Sequence, residues 1–193
     1  LMPTKGFFDV VQAMEHLQRL DPGRFHLNLC GQFVNAVTEQ AVEVTDESSL
    51  KAYLAAHDLT ACVTYHGQVV DAAKAQQFEQ ASMFLLPTSY PWEGQPLSII
   101  EALAYSIPVI SCPHKGIPEL VQHGTTGLFV EPGSPQQIAD AVIELASNDE
   151  AYAQISAAAR QHYEANFKRE VHLNRLISVI LDTDDAAPSP NMS

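Results

Sequence analysis

The sequence predicts an α/β domain, a doubly wound parallel sheet with helices on both faces. Three observations lead there. Strand-like and helix-like segments alternate almost strictly along the 193 residues. The strand-like runs are short, apolar and rarely alternate with polar positions, as expected of strands buried on two sides. Several of them end abruptly in Gly or Pro, as at His66-Gly67 and at Pro87.

Taken in order, Leu1 to Gly6 (LMPTKG) reads as a loop running straight into a helix. Phe7, Val10, Val11, Met14 and Leu17 recur at helical spacing and form one apolar face, and Asp21-Pro22-Gly23 ends the helix. His26 to Gly31 is a short apolar strand, and a helix follows from about Glu47 to His57. Ala61 to Tyr65 is the next strand, Asp71 to Gln80 a short helix, and Met83 to Leu86 a strand cut off by Pro87. Leu97 to Tyr105 reads as an apolar helix, with Pro96 pre-forming its first turn. Pro108 to Ser111 is a strand, a small helix lies near Pro118 to His123, and Gly127 to Val130 is a strand.

Ser134-Pro135-Gln136-Gln137 has the wording of a helix start, with Ser134 as cap, Pro135 at the first helical position and Gln137 completing a capping box. Ile138, Val142 and Leu145 carry the buried face of that helix. Helices over Glu150 to Phe167 and Glu170 to Leu181 follow, then a polar, Pro-containing tail from Asp184 expected to be disordered. The chain opens on a turn and helix where a doubly wound fold should begin with a central strand. That strand is therefore expected upstream of Leu1.

Composition narrows the function classes. A formal net charge of −13 argues against a broad basic face for nucleic acid or anionic lipid. Any anionic ligand must then be held by local devices such as helix N-termini, backbone amides and a few cations. Cys30, Cys62 and Cys112 each lie in or beside an apolar run, which suggests buried free thiols in a reducing compartment. The eight histidines show no HxxxH or HExxH spacing and there is no CxxC, so no metal site is expected. No stretch approaches the roughly 20 apolar residues of a membrane span, and no signal-peptide pattern is present. A cytoplasmic protein is the expectation.

The chemistry concentrates in LLPTSYPWEGQPLSIIEALAYSIPVIS, residues 85–111. Glu93 lies in the loop after a strand and Glu101 just over a turn into the next helix, with seven residues between them. Helical side chains tilt toward the N-terminus, so both carboxylates can face the crevice at the C-terminal edge of the sheet. Two carboxylates there suit a ligand with several hydroxyls. The amides of Gly94, Gln95, Leu97 and Ser98 sit at a helix N-terminus, a natural phosphate site. Phe78, Phe84 and Phe129 read as core.

The wording of this segment resembles glycosyltransferase family 4, the retaining enzymes of GT-B fold, and in particular their C-terminal, Rossmann-like domain that binds the sugar donor. The family pattern is an apolar strand ending in P-[ST], a Glu, seven residues and a second Glu, then A-x-A-x-G-x-P-V-I, a gG-x-x-E segment and a G-x-x-G-x-L-V strand. Here LLPTSY, Glu93, Glu101, ALAYSIPVIS, KGIPELV and HGTTGLFVEPGSPQQIADAV stand in that order. The opening MPTKGFFDVVQA is similar to the family's P-x-K-G-x-x-x-L-I-x-A turn and helix, so the match runs over roughly residues 1 to 170.

The resemblance implies a role for each position. Glu101 would bind the ribose hydroxyls of a nucleoside diphosphate sugar, and Glu93 would contact the transferred sugar with the amides of Gly94 and Gln95. Leu97 and Ser98 amides would hold the diphosphate, and Lys5 would neutralise it. His66 and Gly67 would lie beside the nucleobase, and Thr88 would line the sugar pocket. It implies residues 1–167 as the donor-binding domain, 168–183 as a helix packing on an absent N-terminal domain, and 184–193 as a tail. The reaction implied is retaining, metal-independent transfer of a hexose to an acceptor sugar or lipid-linked glycan, by an enzyme that is cytoplasmic or peripheral to the inner face of the membrane. The fragment alone would be inactive.

Departures from the pattern are Gly31-Gln32-Phe33 for a Gly-x-Gly, Ser106 for a Gly, and His114-Lys115-Gly116 for a Gly-Gly pair. The arginine that usually partners the Lys5 position would lie upstream of the chain. A non-catalytic nucleotide-binding module is the alternative from another class, and a sugar-nucleotide epimerase fits the wording less well.

Overall fold

The computed structural model describes residues 1–34 and 43–181. Among these, a short 3-10 turn at Pro3–Lys5 leads into α1 (Phe7–Leu20), followed by β1 (Leu27–Cys30), α2 (Glu47–Ala56), β2 (Val63–Gly67), α3 (Asp71–Gln80) and β3 (Phe84–Leu86). The order continues with α4 (Leu97–Ala104), β4 (Val109–Ser111), α5 (Ile117–Leu120), β5 (Gly127–Phe129), α6 (Pro135–Ala146), α7 (Asp149–Asn166) and α8 (Arg169–Ile180). The predicted tail, 184–193, lies outside the described residues. No helix among the described residues is long and apolar enough to cross a membrane.

All pairing between named strands is parallel. β1 pairs with β2, and β3, β4 and β5 pair in that order, with Leu85 opposite Ile110 and Ile110 opposite Leu128. The sequence anticipates one sheet; among the described residues the hydrogen bonds form two ladders. A common core joins them. Leu29, Val63, Ile110 and Leu128 share one cluster with Val11, Met14 and Leu17 of α1 and Ile138 and Val142 of α6.

Successive strand residues point to opposite faces, and β4 shows the consequence. Ile110 belongs to the α1–α6 core, whereas its neighbour Val109 belongs to a second cluster with Ile99 and Leu103 of α4, Ile117 and Leu120 of α5 and Ala159 of α7. Phe78, Phe84 and Phe129 pack against this second cluster, as the sequence predicts. Burial on both faces explains why β4 reads as a continuous apolar run. β1 and β2 depart from that expectation, with Asn28, Thr64 and His66 exposed on one face.

Two local expectations are corrected. Ser134 does cap the position before α6 and Pro135 does open it, but the Ser134 side chain makes no capping hydrogen bond. Gln137 instead reaches back to accept from the Glu131 amide at 2.8 Å, so its side chain fixes the β5–α6 loop rather than closing a capping box. Pro96 stands at the N-cap of α4 with extended ψ, one residue before the first turn. Its fixed φ sets the entry angle of the loop, not the first turn of the helix.

Candidate functional site at the carboxyl edge of the sheet

The strands end where the predicted site residues begin. β3 stops at Leu86, and Pro87 and Thr88 turn the chain away from the sheet. The Pro3–Lys5 turn lies against this segment, with the Ser89 amide donating to the Thr4 carbonyl at 2.8 Å. Gly6 makes that approach possible. Its φ is 75°, and a Cβ placed there would run into the Pro87 carbonyl oxygen, so no other residue fits without displacing one of the two turns.

This contact brings Lys5 onto Glu93. The ammonium donates to both carboxylate oxygens, at 2.8 and 2.7 Å, and lies 4.8 Å from the centre of the Tyr90 ring. The Glu93 side chain is only 6% exposed and that of Lys5 31% exposed. Thr88 is fully buried; its hydroxyl stands 3.0 Å from Glu93 Oε2 and accepts from the Tyr90 amide at 3.1 Å. The carboxylate attracts the hydroxyl proton more strongly than the Thr4 carbonyl, 3.2 Å away, because a bond to an ionised acceptor is the stronger one. An ionised carboxylate has about four acceptor positions. Lys5 uses one on each oxygen and Thr88 one on Oε2, which leaves one on Oε1.

The loop after Glu93 is braced from the β4–α5 connection. His114 Nε2 lies 2.8 Å from the Tyr90 carbonyl, and since a carbonyl only accepts, this nitrogen carries the proton. Gly116 packs so closely that a Cβ on it would lie 2.7 Å from the Gly94 carbonyl oxygen. Gln95 donates from its side chain to Glu119 at 2.7 Å, leaving its backbone as the group available to a ligand. Gly94 is exposed, with open space where its side chain would be. At the start of α4 the amides of Leu97 and Ser98 belong to the first turn and have no intrahelical acceptor, so they form a fixed positive pole.

Glu101 lies in a different contact set. Lys74 of α3 donates to its Oε1 at 2.6 Å, while Oε2 is buried and has no hydrogen-bond partner. Both residues line a crevice of about 440 Å³ together with Val69, Val70, Phe78 and Tyr105. This crevice lies just past the end of β2, where His66 Nε2 donates to the Asn28 side-chain oxygen at 2.9 Å and the Gly67 carbonyl accepts from the Gly31 amide at 2.7 Å.

The two acids named from the sequence thus stand at the same end of the sheet, each with its own lysine. Lys74 was not anticipated. Its signal, a lysine on a short polar helix, is common, and only the packing of α3 beside α4 gives it meaning. Thr88 is fully buried beneath Glu93, where its hydroxyl holds the carboxylate. The departures from the family wording are structurally legible too: Ser106 and Lys115, which replace glycines, have φ of 62° and 52°, in the left-handed region that favours glycine.

Comparisons with known proteins bear on the family and the fold. A glycosyltransferase of amylovoran biosynthesis from Erwinia amylovora, AmsK, is 30% identical over 138 residues, 69% of this chain and 34% of that protein. Among solved structures, Anabaena HepE in complex with UDP-glucose superposes with a TM-score of 0.77 at 21% identity, covering 95% of this chain and 46% of that one. The C-terminal domain of a group 1 family glycosyl transferase from Francisella tularensis superposes with a TM-score of 0.73 at 20% identity, covering 88% of this chain and 83% of that domain. The chain spans about a third of the length of the curated relatives it matches, 34%, 27% and 34% in three cases. The family model for glycosyl transferases group 1 matches residues 1–162, and the chain belongs to that family.

Proposed function

We propose that this chain is the sugar-donor-binding half of a retaining glycosyltransferase, which transfers a hexose from a nucleoside diphosphate sugar to an acceptor hydroxyl without a metal. The observation that carries the reading is the Lys5–Glu93 pair, with Glu93 in the loop that leads into the first turn of α4. Cleavage of the glycosyl bond leaves negative charge on the departing diphosphate. An ammonium and a helix N-terminus fixed in advance stabilise that charge with little reorganisation. The open acceptor position on Glu93 Oε1 suits one hydroxyl of the transferred sugar, and the Gly94 and Gln95 amides, next in the chain, would add donors to the same ligand. Glu101, in its crevice, suits the ribose hydroxyls. His66 and Gly67, at the end of β2, would face the base.

The retaining outcome and the hexose rest on the family wording of the Glu93–Glu101 segment. The UDP-glucose held by HepE is of the ligand class proposed here. In this reading, 1–167 form the donor domain and α8 packs on a second domain that carries the acceptor site. α8 has no buried residue, and Leu176, Ile177 and Ile180 are 46%, 51% and 68% exposed. The chain alone would bind a nucleotide but transfer no sugar. Cys30, Cys62 and Cys112 are free, which suits a cytoplasmic enzyme.

Calorimetric titration with UDP, GDP and ADP tests the proposal. Binding of one of them, lost on Glu101→Gln, is the expected result. Failure of all three to bind would overturn it.

A further inference from the structure

We infer that Lys74 is a positioning residue for the nucleotide site, a role that rests on the donor-binding reading above. Among the described residues, Lys74 makes the one hydrogen bond to the Glu101 carboxylate, at 2.6 Å to Oε1. The other oxygen, Oε2, is buried with no partner, so nothing else sets the rotation of the carboxylate about its terminal bond. That torsion is broad when unconstrained. An oxygen bonded to one N–H keeps a second acceptor position, and Glu101 and Lys74 both line the crevice of about 440 Å³. Lys74 therefore holds Oε1 at the crevice wall with one acceptor position open, which suits a hydroxyl of an entering ribose. Its side chain is 39% exposed and that of Glu101 38% exposed, so the pair lies at the rim, where a ligand reaches it without opening the core.

The same arrangement separates positioning from simple charge attraction. A cation that merely drew in an anionic diphosphate would serve any nucleotide alike. A cation that aims Glu101 helps only a ligand with ribose hydroxyls.

The experiment measures binding of UDP, GDP and ADP, and of the 2′,3′-dideoxy form of whichever binds, to the unsubstituted chain and to Lys74→Met and Lys74→Arg. Lys74→Met is expected to weaken the ribonucleotide about tenfold, the size of one charge-assisted hydrogen bond's effect on orientation. It should leave the dideoxy ligand nearly unchanged, and Lys74→Arg should retain most of the affinity. An equal loss for both ligands, or tighter binding by Lys74→Met, would overturn the inference, since Lys74 would then touch the ligand directly or compete with it. A hydroxyl preference in the unsubstituted chain that Lys74→Met does not alter would overturn it while leaving the proposed function standing. No binding by the unsubstituted chain would overturn both. Circular dichroism of the variants guards against misfolding, and the Lys74 side chain itself is 39% exposed.

Discussion

Lys5 and Glu93 are separated by 88 positions in the chain, yet the ammonium of one touches both carboxylate oxygens of the other, at 2.8 and 2.7 Å. The pair ties the first turn of the chain to the loop after β3, and it is the point at which fold and chemistry meet.

The two sides of this pair should not contribute independently to stability. Lys5→Met leaves Glu93 buried with only Thr88 as partner and should destabilise the fold by about 2 kcal/mol, below the 3–5 of a fully buried pair because Lys5 is partly solvated. Glu93→Gln should cost a similar amount. The double variant should cost clearly less than the sum, and urea denaturation of the four proteins reads the coupling.

Thr88→Val keeps the shape of a fully buried side chain and removes its hydroxyl. The Tyr90 amide then lacks its acceptor and Glu93 Oε2 one of its donors. A loss of about 2 kcal/mol in stability is expected. In a complete enzyme the transfer rate should fall as well, because the carboxylate is less firmly held.

Two backbone substitutions should act with opposite sign. Gly6→Ala puts a methyl group at φ 75° against the Pro87 carbonyl and should cost about 2 kcal/mol or more, with loss of the Lys5–Glu93 contact. Ser106→Gly relieves φ 62° in the turn before β4 and should stabilise by up to about 1 kcal/mol, strain relief exceeding the added freedom of the unfolded chain. Thermal melting of both variants checks the pair.

Asp9 supplies a pH dependence. Burial raises its pKa above the ordinary carboxylate value, partly opposed by a hydrogen bond from the Gly133 amide. A raised folded-state pKa means that the stability linked to this proton is full below the unfolded value and is lost as pH rises through the folded value. Asp9→Asn should therefore match the parent near pH 3 and be the more stable at pH 7. Denaturation midpoints at the two pH values decide it, and a gain that is equal at both would contradict the burial argument.

Several things were legible without coordinates. Hydrophobic periodicity is local information, so the α1 face of Phe7, Val10, Val11, Met14 and Leu17, all buried, could be read directly, as could the strands and, apart from α5, which ends at Leu120 rather than His123, the helix boundaries to within a residue or two. The places of Glu93 in the loop after β3 and of Glu101 just past the first turn of α4 were equally plain. Side-chain partners were not. Ser134 and Gln137 have the wording of a capping box, but Gln137 has a better use on the Glu131 amide, and wording does not disclose competing acceptors and donors. Lys74 gains its role from α3 packing beside α4, which no spacing along the chain encodes. The sequence by itself determined which residues form elements and which carry charge at the carboxyl edge of the sheet. Only the tertiary structure decided that each acid has its own lysine, because ion pairs between distant segments are set by packing in space rather than by any period in the chain.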